Sequence, residues 1–519
     1  MASSEHGHFL PLATRDETRR VKPDSMLETG QHDCPSFELF ACPIGGHRMR
    51  RSDNDHKKQG EIMRAILAIL FAAALLTGCS TVPDQQYQTA GFRDKSCSLN
   101  GSGREATCPP DSSRGEEGQR IERKFSVAFL EYCELESAAC KAPGQLFAPG
   151  QLQAIRQRIE SANAAGQATL VAVYVHGWHH NASTEDGNVK YFDHMLARYA
   201  DALARAGRTD IRVLGIYVGW RGELIEASIP SVFTVADRGR AADRIAQGTV
   251  AADLATIAAA VQAGPASSRM LVTGHSFGGR LVSRALLPKF RENYQPLGDK
   301  ALIVTLNAAI GADAYYDLYQ DPARLSPSAG KPTWVNITSL DDWATKWTYP
   351  IARYVGNLQP DHPEDDSSGR TIGHFGPYKT HQLGFANCNA VGCGDPATLS
   401  GLLNVDYWSP APFHFFVLRY AVETGADTLD MCGLVREYPY NQKAVDAMER
   451  PGVCKDLVGS ESPFTGRKRY PANGHLWNIE ADKSVIDTDG LQPTSTAVHN
   501  ATTQTNLATM LVRLLYAER

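Results

Sequence analysis

The chain has 519 residues, 43% hydrophobic and 21% charged, with 44 Gly, 28 Pro, 11 Cys and a formal net charge of −5. That much apolar material excludes a disordered polyanion, and the glycine content excludes a collagen-like repeat. The mildly acidic balance gives no electrostatic reason to expect nucleic acid as a partner, and a single apolar run near membrane length excludes a multi-pass membrane protein.

Residues 1–62 are polar and show no sustained periodicity. They precede Met63-Arg64 and the twelve-residue apolar run 65–76, which ends in Thr77-Gly78-Cys79-Ser80. A basic start, an apolar run and a break of small residues describe a secretory signal peptide over 63–78. Twelve helical residues cover about 18 Å, short of a ~30 Å hydrocarbon core. Leu76-Thr77-Gly78-Cys79 resembles the lipobox of bacterial lipoproteins. That resemblance implies cleavage before Cys79, acylation at Cys79, and stable anchoring by several acyl chains. Ser80 is compatible with sorting to an outer membrane, facing the periplasm. A signal peptide works at a chain terminus, so translation is expected to start at Met63, with 1–62 a start-site artefact. A cytoplasmic extension ahead of an anchor is the other account, and a buried helix ending at Gly78-Cys79 is the plain alternative.

Beyond Cys79, eight cysteines remain, an even number that suits disulfides in an exported chain. The local pairs 97–108, 133–140, 388–393 and 432–454 close the shortest loops. No Cys-x-x-Cys spacing supports a zinc site; free buried thiols are the remaining alternative.

Residues 79–120 are rich in Gly, Ser, Asp, Glu and Pro and read as a tether. From there strand and helix patterns alternate. Strands are expected at 125–130, 169–175, 211–218, 270–273, 301–306 and 334–338, and helices at 149–162, 188–206, 240–262 and 278–290. This alternation predicts an α/β domain over 121–519, a doubly wound, mostly parallel sheet with helices on both faces. Residues 350–470 break the rhythm with Pro, Gly, His and aromatics and read as an irregular insertion or cap. Val485-Ile486 suggests a short strand, and 506–516 an amphipathic C-terminal helix.

The chemistry gathers at strand ends. Gly274-His275-Ser276-Phe277-Gly278-Gly279 places a serine between glycines at −2 and +2, where an apolar strand meets a helix. This is the pattern of a nucleophile elbow, a turn so sharp that side chains at the flanking positions would strike neighbouring backbone. His176-Gly177-Trp178 ends the strand over 169–175. With these two motifs the chain resembles the α/β-hydrolase superfamily, most closely its lipase and esterase branch, over about 125–345 plus the C-terminal helix. The resemblance implies an oxyanion hole made by the amides of Trp178 and Phe277. Metal binding by His176, His179 and His180 is the competing reading of that segment, although no carboxylate at helical spacing completes a ligand set.

The family's acid follows a late strand, where this chain has Asp341-Asp342 after 334–338. Asp342 matches the family position better, while Asp341 could cap the next helix. The base is expected just before the final helix, which favours His499; His374, His381, His414 and His475 remain rivals. Ser276, Asp342 and His499 then follow the superfamily's chain order. The implied reaction is hydrolysis of a small-molecule or lipid carboxylic ester through an acyl-enzyme, with residues 222–235 lining an acyl pocket or simply packing the core. An acyltransferase of the same fold and a non-catalytic envelope lipoprotein are the alternatives. Nothing in the sequence requires a metal or organic cofactor.

Overall fold

The computed structural model describes residues 82–99, 106–108, 121–223, 234–320, 332–339, 341–350, 353, 360–363, 365–379, 381–387, 413–419, 475–481, 499 and 505–516. The expected signal peptide, Cys79, the pairs 388–393 and 432–454, the apolar stretch 224–233 and Val485-Ile486 lie outside them.

A strand of eight consecutively buried residues needs cover on both faces, and β4 (Ala168–Val175) has it. Val171, Val173 and Val175 point into a layer formed by α1 (Pro149–Ala164), α3 (Val235–Ala246), α4 (Val250–Gln262) and α5 (Phe277–Asn293). Leu170, Ala172 and Tyr174 point the other way, against α2 (Gly187–Arg205) and α6 (Thr505–Tyr516). The two-residue period of a strand thus divides the core into two apolar layers.

The other strands are β1 (Arg93–Leu99), β2 (Ala106–Thr107), β3 (Ile121–Glu131), β5 (Ile211–Gly219), β6 (Arg269–His275), β7 (Ala301–Leu306), β8 (Trp334–Ser339), β9 (His381–Asn387), β10 (Phe413–Arg419) and β11 (Leu476–Ala481). Among the described residues they form one sheet in the order β10-β9-β11-β8-β7-β6-β4-β5-β3-β1-β2. The strands from β9 to β3 run parallel, and antiparallel pairs close both edges. This is the doubly wound, mostly parallel α/β architecture. The chain leaves β4 toward β5 on one side and leaves β6 toward β7 on the other. Diverging connections open a crevice at the carboxyl ends of two neighbouring strands, where α/β sheets place their sites.

The structure departs from the sequence reading in four places. Residues 82–99 are not a free tether: β1 pairs along β3, and a Cys97–Cys108 disulfide ties it to the end of β2. The expected helix 240–262 is two helices, α3 and α4. The Thr249 amide between them donates to the Gly144 carbonyl at 2.8 Å, so the chain bends to meet the neighbouring loop. The expected insertion at 350–470 contributes β9 and β10 to the sheet edge. The strand beside β8 is Leu476–Ala481, a segment the sequence pattern did not mark as a strand. A second disulfide joins Cys133 and Cys140. No helix among the described residues is long and apolar enough to cross a membrane.

Candidate active site

Ser276 stands between β6 and α5 with φ 55° and ψ −120°, a left-handed conformation costly for a residue with a side chain. The backbone around it pays that cost. Its amide donates to the Leu306 carbonyl at 3.0 Å, and its carbonyl accepts from the amides of Arg280 at 3.1 Å and Ala309 at 3.0 Å. A Cβ on Gly278 would run into the carbonyl oxygens of Val175 and His176, so only glycine lets α5 start this close to β4. A Cβ on Gly177 would lie 2.9 Å from that of Ser276, which sets the loop after β4 against the serine. Trp178 and Phe277 flank Ser276 from the two loops, their rings 6.5 Å apart.

The three side chains singled out by motif and chain order come together in one line. His499 Nε2 lies 2.9 Å from Ser276 Oγ, and His499 Nδ1 lies 2.9 Å from Asp342 Oδ1. Asp342, just beyond β8, is fully buried. Its Oδ1 also accepts from the amides of Ala344 at 3.1 Å and Thr345 at 3.4 Å, and its Oδ2 accepts from the Thr345 hydroxyl. Burial opposes ionisation of this carboxyl, but the His499 ring and the Thr345 hydroxyl outweigh it and hold the group below its ordinary value. The helix-capping duty considered for Asp341 therefore falls to Asp342, and Asp341 is exposed.

Several residues that motif reasoning did not single out hold this line in place. The His499 carbonyl accepts from His275 Nε2 at 2.7 Å and from Asn307 Nδ2 at 3.0 Å. Asn307, with φ 46°, also accepts the Ser339 amide at 3.0 Å and so links the ends of β7 and β8 to His499. Burial pushes His275 down to about 3, so it is neutral and donates through Nε2. A small polar residue just past an apolar strand, able to adopt a left-handed turn, was the available signal for Asn307.

The remaining histidines take other positions. His176 is buried and pushed down to about 4; its Nε2 accepts from the Trp220 amide at 3.1 Å, and its Nδ1 meets the Gly177 carbonyl at 2.8 Å. His180 Nδ1 pairs with Asp186 Oδ1 at 3.0 Å. His176 and His180 thus brace the loop while His179 stacks on Trp178 with ring centroids 4.1 Å apart, and among the described residues no group of His, Cys, Asp and Glu is arranged to hold a metal ion. His374 reaches Thr345 Oγ1 at 3.1 Å, one residue removed from Asp342. His475 stacks on Tyr294 and lies at the amino end of β11, away from Ser276. His381 lies on β9 and His414 on its antiparallel neighbour β10 at the sheet edge.

Neither family models, nor curated proteins, nor solved structures yield a match to this chain.

Proposed function

We propose that the chain is a serine hydrolase of the α/β-hydrolase class. More narrowly, it is a carboxylic-ester hydrolase anchored to the bacterial envelope through Cys79. The observation that carries the reading is the unbroken line from Asp342 through His499 to Ser276, with 2.9 Å at each step.

In this reading the His499 imidazole takes the Ser276 proton through Nε2 as Oγ attacks the ester carbonyl. Asp342 accepts Nδ1–H, fixes the tautomer and stabilises the imidazolium that forms. The amides of Trp178 and Phe277 bind the developing oxyanion, an arrangement that supplies a few kcal/mol of transition-state stabilisation. Collapse expels the alcohol, which takes its proton from His499. Water then releases the acid by the same steps in reverse roles. Two disulfides fit an oxidising compartment beyond the cytoplasm, in keeping with the signal-peptide reading.

A fluorophosphonate probe tests the chemistry. Wild type is expected to take up label at Ser276, and Ser276→Ala to take up none while retaining its thermal transition. Folded wild type that fails to label would return the chain to the binding or structural lipoprotein. Comparing free acid with transferred acyl product separates hydrolase from acyltransferase.

A further inference from the structure

The segment expected to be a free tether is fastened to the domain from Val82 onward. Arg221 Nη1 donates to the Val82 carbonyl at 3.3 Å, and Asp84 Oδ2 accepts the amides of Glu134 and Leu135 at 2.8 and 2.7 Å. The amides of Tyr87 and Gln88 donate to the buried Glu131 carboxylate at 2.7 and 2.9 Å. Glu131 ends β3, and Arg221 follows the end of β5, so the segment is stapled to the carboxyl edge of the sheet.

Ser276 occupies that same edge, and a short path joins the two. Arg221 adjoins Gly222, whose amide donates to the His180 carbonyl at 3.0 Å and whose carbonyl accepts the His179 amide at 3.1 Å. The same loop carries Gly177, which abuts Ser276.

Cys79 precedes Val82 by three residues. Three Cα–Cα steps of about 3.8 Å allow a reach of roughly 11 Å at most. The headgroup layer of one leaflet is itself about 5–8 Å thick, so an acylated Cys79 keeps this edge close to the bilayer.

A second observation points the same way. Among the described residues the exposed large apolar side chains are Leu135, Tyr191 and Trp343, at 46%, 50% and 51% exposure. Leu135 follows the end of β3, Trp343 follows the end of β8 beside Asp342, and Tyr191 is the fifth residue of α2, which starts at this edge. Single exposed apolar residues are ordinary, but these share one edge, and Trp and Tyr suit the boundary between headgroups and acyl chains.

We propose that the carboxyl edge of the sheet docks on the bilayer that holds the chain's own anchor, so that Ser276 draws its esters from lipids in that surface. The proposal rests on the serine-hydrolase and lipoprotein readings above.

The test uses the full chain, acylated at Cys79, in vesicles of phosphatidylethanolamine and phosphatidylglycerol with or without brominated acyl chains. Brominated lipid is expected to quench tryptophan emission, and Trp343→Phe to remove about half or more of the quenched signal. Absent quenching, or quenching unchanged in Trp343→Phe, overturns the docking, as does a Cys79 peptide whose mass carries no acyl groups. The double variant Leu135→Glu/Tyr191→Glu is expected to slow hydrolysis of a vesicle-borne phospholipid ester roughly tenfold while a soluble short-chain ester stays within about twofold. Equal loss on both esters, or on neither, overturns the proposal. Quenching lost in Trp343→Phe with no turnover of either ester supports the docking and removes the hydrolase reading instead, so the two failures are told apart.

Discussion

The two halves of the candidate site are held by different forces. Ser276 is placed by backbone: a left-handed turn, a hydrogen bond to the Leu306 carbonyl and others from the Arg280 and Ala309 amides, and close contacts that leave no room for a Cβ at Gly177 or Gly278. His499 is placed by side chains, with its ring against Asp342 and its carbonyl against His275 and Asn307. Backbone placement tolerates no added atom, whereas side-chain placement fails when a partner is deleted. The serine belongs to the strand–helix joint itself, while His499, near the chain's end, is held by polar side chains from three other elements.

That contrast can be broken in order of expected effect. Asp342→Asn keeps the shape but lets Nδ1 become the acceptor, which favours the wrong tautomer of His499. Turnover should fall about 10⁴-fold with the thermal transition retained, and a fall smaller than tenfold would separate Asp342 from the base. Gly278→Ala should instead unfold the joint, since its Cβ meets the Val175 and His176 carbonyls; a loss of about 3 kcal/mol or more in denaturant unfolding is expected. Unchanged stability would show that α5 can move away from β4 without cost.

Acid acts next. His176 and His275 are buried and neutral, pushed down by burial to about 4 and about 3. Their folded values lie below the ordinary value near 6.5, so the unfolded chain binds protons first as pH falls. Their contribution is whole above pH ~6.5 and is lost progressively toward pH ~4, roughly 3 kcal/mol for each ring. Asp342 adds its own loss only below its ordinary value of 3.8. Denaturant midpoints measured between pH 7 and 4.5 should therefore drop steadily, and a flat profile would contradict buried neutral rings. The smallest effect belongs to Asn307→Ala, which leaves the Ser339 amide without its partner and the His499 carbonyl with one donor. A fall of about 10- to 100-fold in kcat with KM unchanged is expected, and a change in KM alone would deny it a role in placing the base.

The legible parts of the molecule are those where one physical demand dominates. Apolar, β-branched runs such as Leu170–Val175 and Leu302–Val304 read as strands because both faces of a parallel sheet are covered. The glycine spacing around Ser276 reads as a joint because sterics allow little else. By contrast, β1 has the polar sequence RDKSCSL and draws its pairing from β3, so composition alone made it a tether. The break between α3 and α4 carries its signal in Gly248, but an Ala-rich pattern on both sides masked it. β11 sits among Pro, Gly and aromatics, and its strand state comes from lying between β8 and β9. At the site, Ser276, Asp342 and His499 were nameable from motif and order. His275 and Asn307 were not, because their work is done on a main-chain carbonyl that no motif marks.

The central claim is that Ser276, His499 and Asp342 act as one unit, and a double-mutant cycle on ester turnover tests it most directly. Groups that work through one another lose their effect together, so Asp342→Ala added to His499→Ala should cost no more than about twofold beyond His499→Ala alone. Losses that multiply would mean that the carboxylate and the imidazole act separately, and the hydrogen-bonded line would then be no catalytic unit.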